Sequence, residues 1–362
     1  MASRTLSNPA IYAHLKQLPK IDLHRHLEGS LRVETLFEIA RRHNMSLPTT
    51  NIDLLRPHVQ VLDDEPDFQN FLSKFSVLRR FYRSEEIIMR LTYEAVADAA
   101  RDNVHYLELR FSPQALARLQ GFSFTDVTDW VIAGVEQAQA EFGIQVGLIV
   151  TLLRHEPDLS HEVAALAFSL QNHIVGLDLA GDEVNFSAEP FIDIFQEAER
   201  LKMGITVHAG EWCGAEEVQY ALENLHAMRL GHGVRIIENH DVVQLAKAQN
   251  IAFEVCLTSN LQTGVVKDMG HHPLGDLLQI GLLATVNTDD PSVSSINLTD
   301  EYYLAVSRLN LKYHHMRKML FNAVAATFLP PAKREALQQH FEAFWPQDEP
   351  AAWREAMLGD RQ

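Results

Sequence analysis

Short aliphatic and β-branched runs recur along the chain, separated by stretches whose apolar residues return every three or four positions. The runs at 106–111, 146–153, 174–179, 205–208, 229–232, 251–257 and 282–287 each read as a buried strand. The run Ile21-Asp-Leu-His-Arg-His26 alternates instead, which puts His24 and His26 on one face, because side chains two apart point the same way. Most intervals carry a helical stripe. The clearest follows Ser187, with Pro190 in the first turn, then Phe191, Ile194, Phe195, Ala198 and Leu201, and Gly204 as its stop. Eight such repeats without a long polar linker predict an α/β chain folded as a (β/α)8 TIM barrel. A doubly wound sheet ranks second, because no Gly-x-Gly-x-x-Gly turn follows the first strand.

Two regions break the beat. A polar arm runs to about Asn8, and a short helix over 11–18 precedes the first strand. Beyond it, Val33, Leu36, Phe37 and Ala40 form one helical stripe, no strand is visible from 46 to 103, and Ser84-Glu-Glu86 opens a long helix. Residues 30–104 therefore read as a helical insertion after the first strand, over the barrel mouth, within one catalytic domain spanning 1–362. Its aromatic residues Phe68, Phe71, Phe75, Phe81 and Tyr82 suit either a lid or, for most of them, the insertion's own core. From Pro330 onward, with Trp345 and Trp353, the chain predicts terminal helices closing the outside of the barrel.

Composition excludes several functions. A formal net charge of -17 opposes binding to a nucleic-acid backbone and suits a small neutral ligand. No apolar run approaches the roughly 18 residues of a membrane span, and the first fifty residues lack a signal-peptide core. A cytoplasmic protein is expected. The only cysteines are Cys213 and Cys256, so a metal site must be built from histidine and carboxylate. Nothing in the sequence sets the number of copies per assembly.

In a barrel of this kind the C-terminal ends of the strands carry the site. Strand one ends in His24 and His26, strand four in Gly181, strand five in His208 and Glu211, strand six in His232, and strand eight in Asp289 and Asp290. Imidazoles with a carboxylate suit zinc and leave a position for water. No lysine ends strand four to bridge a second metal, so a single ion is expected. Glu211, two small residues beyond His208, sits where a protonated carboxyl can donate to a ring nitrogen. Four other features are set aside: His271-His272 as a solvated pair, Cys213 as no nucleophile, His155 as structural, and Asp182 with Glu183 as loop holders.

The motifs Leu23-His-Arg-His-Leu-Glu-Gly29, Asp178-Leu-Ala-Gly-Asp-Glu183, Val207-His-Ala-Gly-Glu211, Leu230-Gly-His-Gly233 and Asn287-Thr-Asp-Asp-Pro291 resemble those of the adenosine and adenine deaminases. These form the mononuclear branch of the metal-dependent amidohydrolases. The resemblance runs from about Leu18 to past residue 330. It implies one Zn2+ per chain, bound by His24, His26, His208 and Asp289, and a metal-bound hydroxide attacking purine C6. It further implies that Glu211 protonates N1, that His232 and Asp289 orient and help deprotonate the water, and that Gly181 and Asp290 meet N3 and N7. By the same resemblance, Glu28 stands where an aspartate near the ribose 5′ oxygen is usual in mammalian-type members. The implied substrate is a small-molecule purine nucleoside, adenosine or 2′-deoxyadenosine, giving inosine and ammonia. Adenine, a larger derivative such as aminodeoxyfutalosine, an N6-substituted adenine, and a non-catalytic purine-binding role are the alternatives. At 256–263 and 287–292 the chain resembles the adenosine branch, whereas Glu28 alone leans toward adenine.

Overall fold

The computed structural model describes residues 6–62 and 64–358; the first residues of the expected polar arm, 1–5, lie outside them. Eight strands lie side by side in chain order, each parallel to the next. They are β1 (Lys20–His26), β2 (Val104–Phe111), β3 (Gln145–Leu153), β4 (Ile174–Ala180), β5 (Gly204–Ala209), β6 (Arg229–His232), β7 (Ala252–Val255) and β8 (Leu283–Val286). Parallel strands covered on both faces read as near-continuous apolar runs, which is how most of them show in the sequence. β8 returns to β1 through a single parallel bridge between Arg25 and Asp289. There the Asp289 N–H donates to His24 O at 2.8 Å, and Asp289 O accepts from the His26 N–H at 2.9 Å. Further down the same seam, Asn287 Oδ1 accepts from the Leu23 N–H at 2.9 Å. The sheet thus closes as a (β/α)8 barrel, and the closing seam ties both histidines of β1 to the aspartate after β8.

Between β1 and β2 the chain forms the helices Val33–Arg42, Ile52–Val59, Phe68–Ser73, Phe75–Leu78 and Glu85–Arg101. Ser84 caps the last of these by accepting from the Ile87 N–H, with Glu85 and Glu86 in its first turn. The insertion's aromatic residues divide. Phe81 and Tyr82 are core, whereas Phe71 and Phe75 face the cavity at the strand ends, and Phe68 packs on Trp212 at 4.9 Å. After β8 come the helices Leu298–Ser307, Tyr313–Ala326, Pro331–Glu342 and Ala351–Leu358. Buried Trp345 donates its indole N–H to Pro19 O at 3.0 Å, so the C-terminal segment covers the end of the barrel where β1 begins.

Two boundaries differ from those predicted. β7 stops at Val255, because Leu257–Gln262 is a helix whose first turn is held by Glu301, which accepts from the Thr258 N–H at 3.1 Å. The helix after Ser187 ends at Arg200, and Lys202, at φ 58°, makes the turn. Gly204 is not its stop but the first residue of β5, where a Cβ would run into the Phe328 ring.

Candidate metal and substrate site

The Nε2 atom of His26 lies 3.3 Å from His24 Nε2 and 3.2 Å from His208 Nε2. Asp289 Oδ1 is 3.2 Å from His24 Nε2 and 3.4 Å from His26 Nε2. Three imidazole nitrogens converging this closely repel one another as lone pairs and collide as N–H groups, and a cation between them resolves both. His232 also brings a ring nitrogen near: with His24, His208 and Asp289 it offers ligand atoms within 4.8 Å of one another, as do His26, Asp178 and His208 as a second group. The set of imidazoles with a carboxylate fits a divalent ion.

The rings are aimed from behind. Glu254 Oε2 accepts from His24 Nδ1 at 2.8 Å, and Asp178 Oδ1 accepts from His208 Nδ1 at 3.0 Å, which turns both Nε2 lone pairs inward. Arg110 pairs with Glu254 at 2.8 Å and with Asp178 at 3.4 Å, while Arg229 pairs with Glu254 at 2.6 Å and Glu108 at 2.6 Å. Burial pushes Asp178 and Glu254 up, but these guanidinium groups and the histidines outweigh it and hold both below the usual carboxylate range.

Two residues of the site hold a strained backbone. His232 at φ 59° and Asp289 at φ 61° are non-glycine residues in the left-handed region, each costing about 1–3 kcal/mol. The seam bonds hold Asp289 there. Gly29 lies against the Asp290 carboxylate, in space that a Cβ would occupy, and Gly181 adopts φ 105°, which other residues avoid.

Above the cluster opens a cavity of about 370 Å³. Of the residues expected in the site, His26, Glu28, Gly181 and His208 line it, as do Glu211, His232, Asp289 and Asp290; His24 lies beneath its floor, fully buried. Burial, reinforced by the charges of Asp289 and Glu183, pushes the Glu211 carboxyl well above its ordinary range. Asp290 is raised likewise, by burial and then by Asp289, Glu28 and Glu211. Glu28 is pushed up to about 7, again chiefly by burial. Its Oε1 accepts from the Ser112 N–H at 2.7 Å, but its Oε2, like Asp290 Oδ1, is buried without a partner. Two orphaned carboxyl oxygens on one cavity wall are the mark of a place that a polar ligand completes.

Glu183 holds the loop that carries Glu211, accepting from the backbone N–H groups of Gly210 at 3.1 Å, Cys213 at 2.6 Å and Trp212. Asp182 and His155, expected to be structural, also line the cavity, together with Arg79 and Trp212, which no sequence signal singled out. Cys213 is pushed up to about 11, by burial and then Glu183, a poor setting for a nucleophile. The expected solvated pair splits. His271 is exposed and pairs with Asp268, but His272 is buried, its Nε2 lying 3.2 Å from Asn260 Oδ1. Pro273 starts the helix Leu274–Gln279 at that point and tucks the ring under it.

Comparison with known proteins agrees with this geometry. Residues 19–343 match the sequence family described as adenosine deaminase. An adenosine deaminase of Klebsiella pneumoniae (strain 342) is 39% identical over 324 residues, covering 89% of this chain and 97% of its own. Among solved structures, the adenine deaminase of Arthrobacter aurescens superposes with a TM-score of 0.84 at 28% identity, over 90% of this chain and 98% of that one. The N6-methyl-AMP deaminase of Arabidopsis thaliana does so at 0.81 and 27% identity, over 93% and 100%. With its barrel, its histidine and aspartate cluster and its buried acid, the chain belongs to the adenosine deaminase family, metal-dependent hydrolases that deaminate adenine- and adenosine-type purines.

Proposed function

We propose that the protein converts adenosine and 2′-deoxyadenosine to their 6-oxo nucleosides and ammonia, with one zinc ion held by His24, His26, His208 and Asp289. The observation that carries the nucleoside reading is the orphaned Glu28 Oε2, buried on the cavity wall where a ribose hydroxyl can donate to it. A site built for that hydroxyl leaves its carboxylate unpaired when the base binds alone, which penalises adenine. The similarity to a curated adenosine deaminase over nearly its full length supports the same choice.

When bound, the ion supplies a Lewis acid that brings the pKa of a water toward neutrality. The chain does the rest. Glu211, kept protonated by its burial, delivers its proton to N1 and makes C6 electrophilic. Asp290, also held protonated, donates to N7, and the Gly181 N–H donates to N3. Oxygen adds at C6, the C6–N6 bond breaks, and the amine leaves with a proton as ammonia. Phe71, Phe75 and Trp212 wall the base from water.

A second reading, a 5′-nucleotide substrate, is favoured by Arg79, whose Nε is buried on this wall without a partner. Against it stands Glu28, close enough to feel the Arg79 charge and unfavourable to a phosphate. The partner is thus a small purine nucleoside, not a nucleic acid. The free cysteines fit a reducing compartment, and we place the protein in the cytoplasm; among the described residues no helix is long and apolar enough to cross a membrane. Residues 1–362 act as one catalytic domain, with 30–104 roofing the mouth.

The test is product analysis with metal-loaded protein: inosine and ammonia should form one to one from adenosine, and no ammonia would overturn the reading. Glu211→Gln keeps the shape but cannot give the proton, so turnover should fall at least about 100-fold with metal retained. Near-parental turnover in that variant would remove Glu211 from the role.

A further inference from the structure

His232 stands apart from the other histidines of the site in what backs its ring. His24 and His208 each present Nδ1 to a carboxylate, an obligatory acceptor when ionised. His232 presents Nδ1 to the side-chain amide of Asn260, with Nδ2 at 3.0 Å. The other end of that amide, Oδ1, faces His272 Nε2 at 3.2 Å, and His272 Nδ1 faces the Leu274 backbone N–H at 3.1 Å. Asn260, His272 and His232 are all buried, so each group depends on this chain of partners.

The backbone group sets the direction of the whole chain, because a peptide N–H can only donate. His272 Nδ1 must then accept, its proton sits on Nε2, and Nε2–H donates to Asn260 Oδ1. That fixes the amide with Nδ2 toward His232, where it donates to Nδ1. Reversing His232 would turn the amide over, move the His272 proton to Nδ1 and set it against the Leu274 N–H. Two buried donors would then face each other, each stripped of water with no acceptor in return. Burial pushes His272 down to about 3, so protonation gives no second route.

We infer that His272, acting through Asn260, is a positioning residue that fixes His232 as the tautomer with its proton on Nε2, aimed into the site as a hydrogen-bond donor. Two acceptors lie ahead of that N–H, Glu211 Oε2 at 3.6 Å and Asp289 Oδ2 at 3.8 Å. In this form Nε2 has no lone pair for a metal, so His232 drops out of the ligand candidates and His24, His26, His208 and Asp289 remain. The role also changes. His232 donates to the attacking oxygen rather than accepting its proton, and that proton passes to the Asp289 carboxylate as the O–H bond breaks. This consequence rests on the deaminase reading; the tautomer does not.

The experiment is a two-bond 1H–15N spectrum of the zinc-loaded protein with 15N-labelled histidine, the His232 signals being identified by their loss in His232→Gln. The parent should show an unprotonated Nδ1 and a protonated Nε2 at His232. Asn260→Asp puts a carboxylate against Nδ1 and should reverse the two. His272→Phe keeps the bulk and removes the donor, so His232 should show both tautomers and kcat should fall about tenfold or more, with KM and zinc content unchanged. His272→Gln can accept from the Leu274 N–H and donate to Asn260, and should restore both. A protonated Nδ1 in the parent would overturn the inference, as would a His272→Phe protein with an intact tautomer and full kcat. If His272→Phe fails to fold, the parent and Asn260→Asp spectra decide. If adenosine proves not to be the substrate, the spectra still stand.

Discussion

Below the histidine cluster, Asp178 and Glu254 are buried, yet both are held ionised; above it, Glu28, Glu211 and Asp290 are also buried, and burial pushes their carboxyls up. Desolvation raises the carboxyls of both sets, and the lower pair is the more deeply buried, so burial is not what separates them. The difference lies in cations. Arg110 on β2 and Arg229 on β6 reach inward between the lower carboxylates, whereas none of the upper three is hydrogen-bonded to a guanidinium among the described residues. One barrel thereby holds ionised carboxylates behind the histidine rings and carboxyls pushed toward their neutral form on the cavity wall.

The largest effect should come from taking a charge out of the lower set. Glu254→Gln leaves Arg110 and Arg229 short of a partner, and thermal or denaturant unfolding should show a loss of about 3–5 kcal/mol. An unchanged stability would mean that the lower charges do not depend on one another. The opposite sign is expected at Glu301, another buried carboxyl pushed up, to about 7, chiefly by burial. From pH 4.5 upward the unfolded chain ionises this group while the folded chain keeps it protonated to about pH 7, so stability falls as pH rises across that window. Glu301→Gln should therefore be the more stable protein at pH 8, by up to about 3 kcal/mol, and lose that advantage toward pH 4.5. Equal stability curves for the two proteins would contradict the assignment. The smallest change should follow Asp178→Asn, which keeps the His208 contact but weakens its hold on the Nδ1 proton. Metal titration should show affinity reduced about 10–100-fold with the fold intact, and unaltered affinity would show that Asp178 does not act through the ring.

How much of this was legible in the sequence depended on which residues carried a repeating signal. The barrel was legible because parallel strands buried on both faces leave apolar runs, and the ligand candidates because they stand at the ends of those runs. Glu28, Gly181 and Asp290 came with the motifs. Boundaries fared worse at Leu257 and Gly204, where a tertiary contact, Glu301 on a helix start and Phe328 against β5, overrides the local pattern. Asp178, Glu254, Arg110 and Arg229 sit inside apolar runs and look there like interruptions; only closing the barrel turns their side chains toward one another. In sequence His272 looks solvated, because the polar stretch before Pro273 hides a ring that is buried where the next helix starts. Arg79 belongs to a short turn whose approach to the cavity no periodicity records.

Glu28 as the ribose partner is tested most directly by kcat/KM of the zinc-loaded protein on adenosine, adenine and AMP, in the parent and in Glu28→Ala. The parent should favour adenosine over adenine by about 10³ or more, and Glu28→Ala should lose most of that ratio by falling on the nucleoside and not on the base. A parent that prefers adenine or AMP, or a ratio that survives Glu28→Ala, would contradict it.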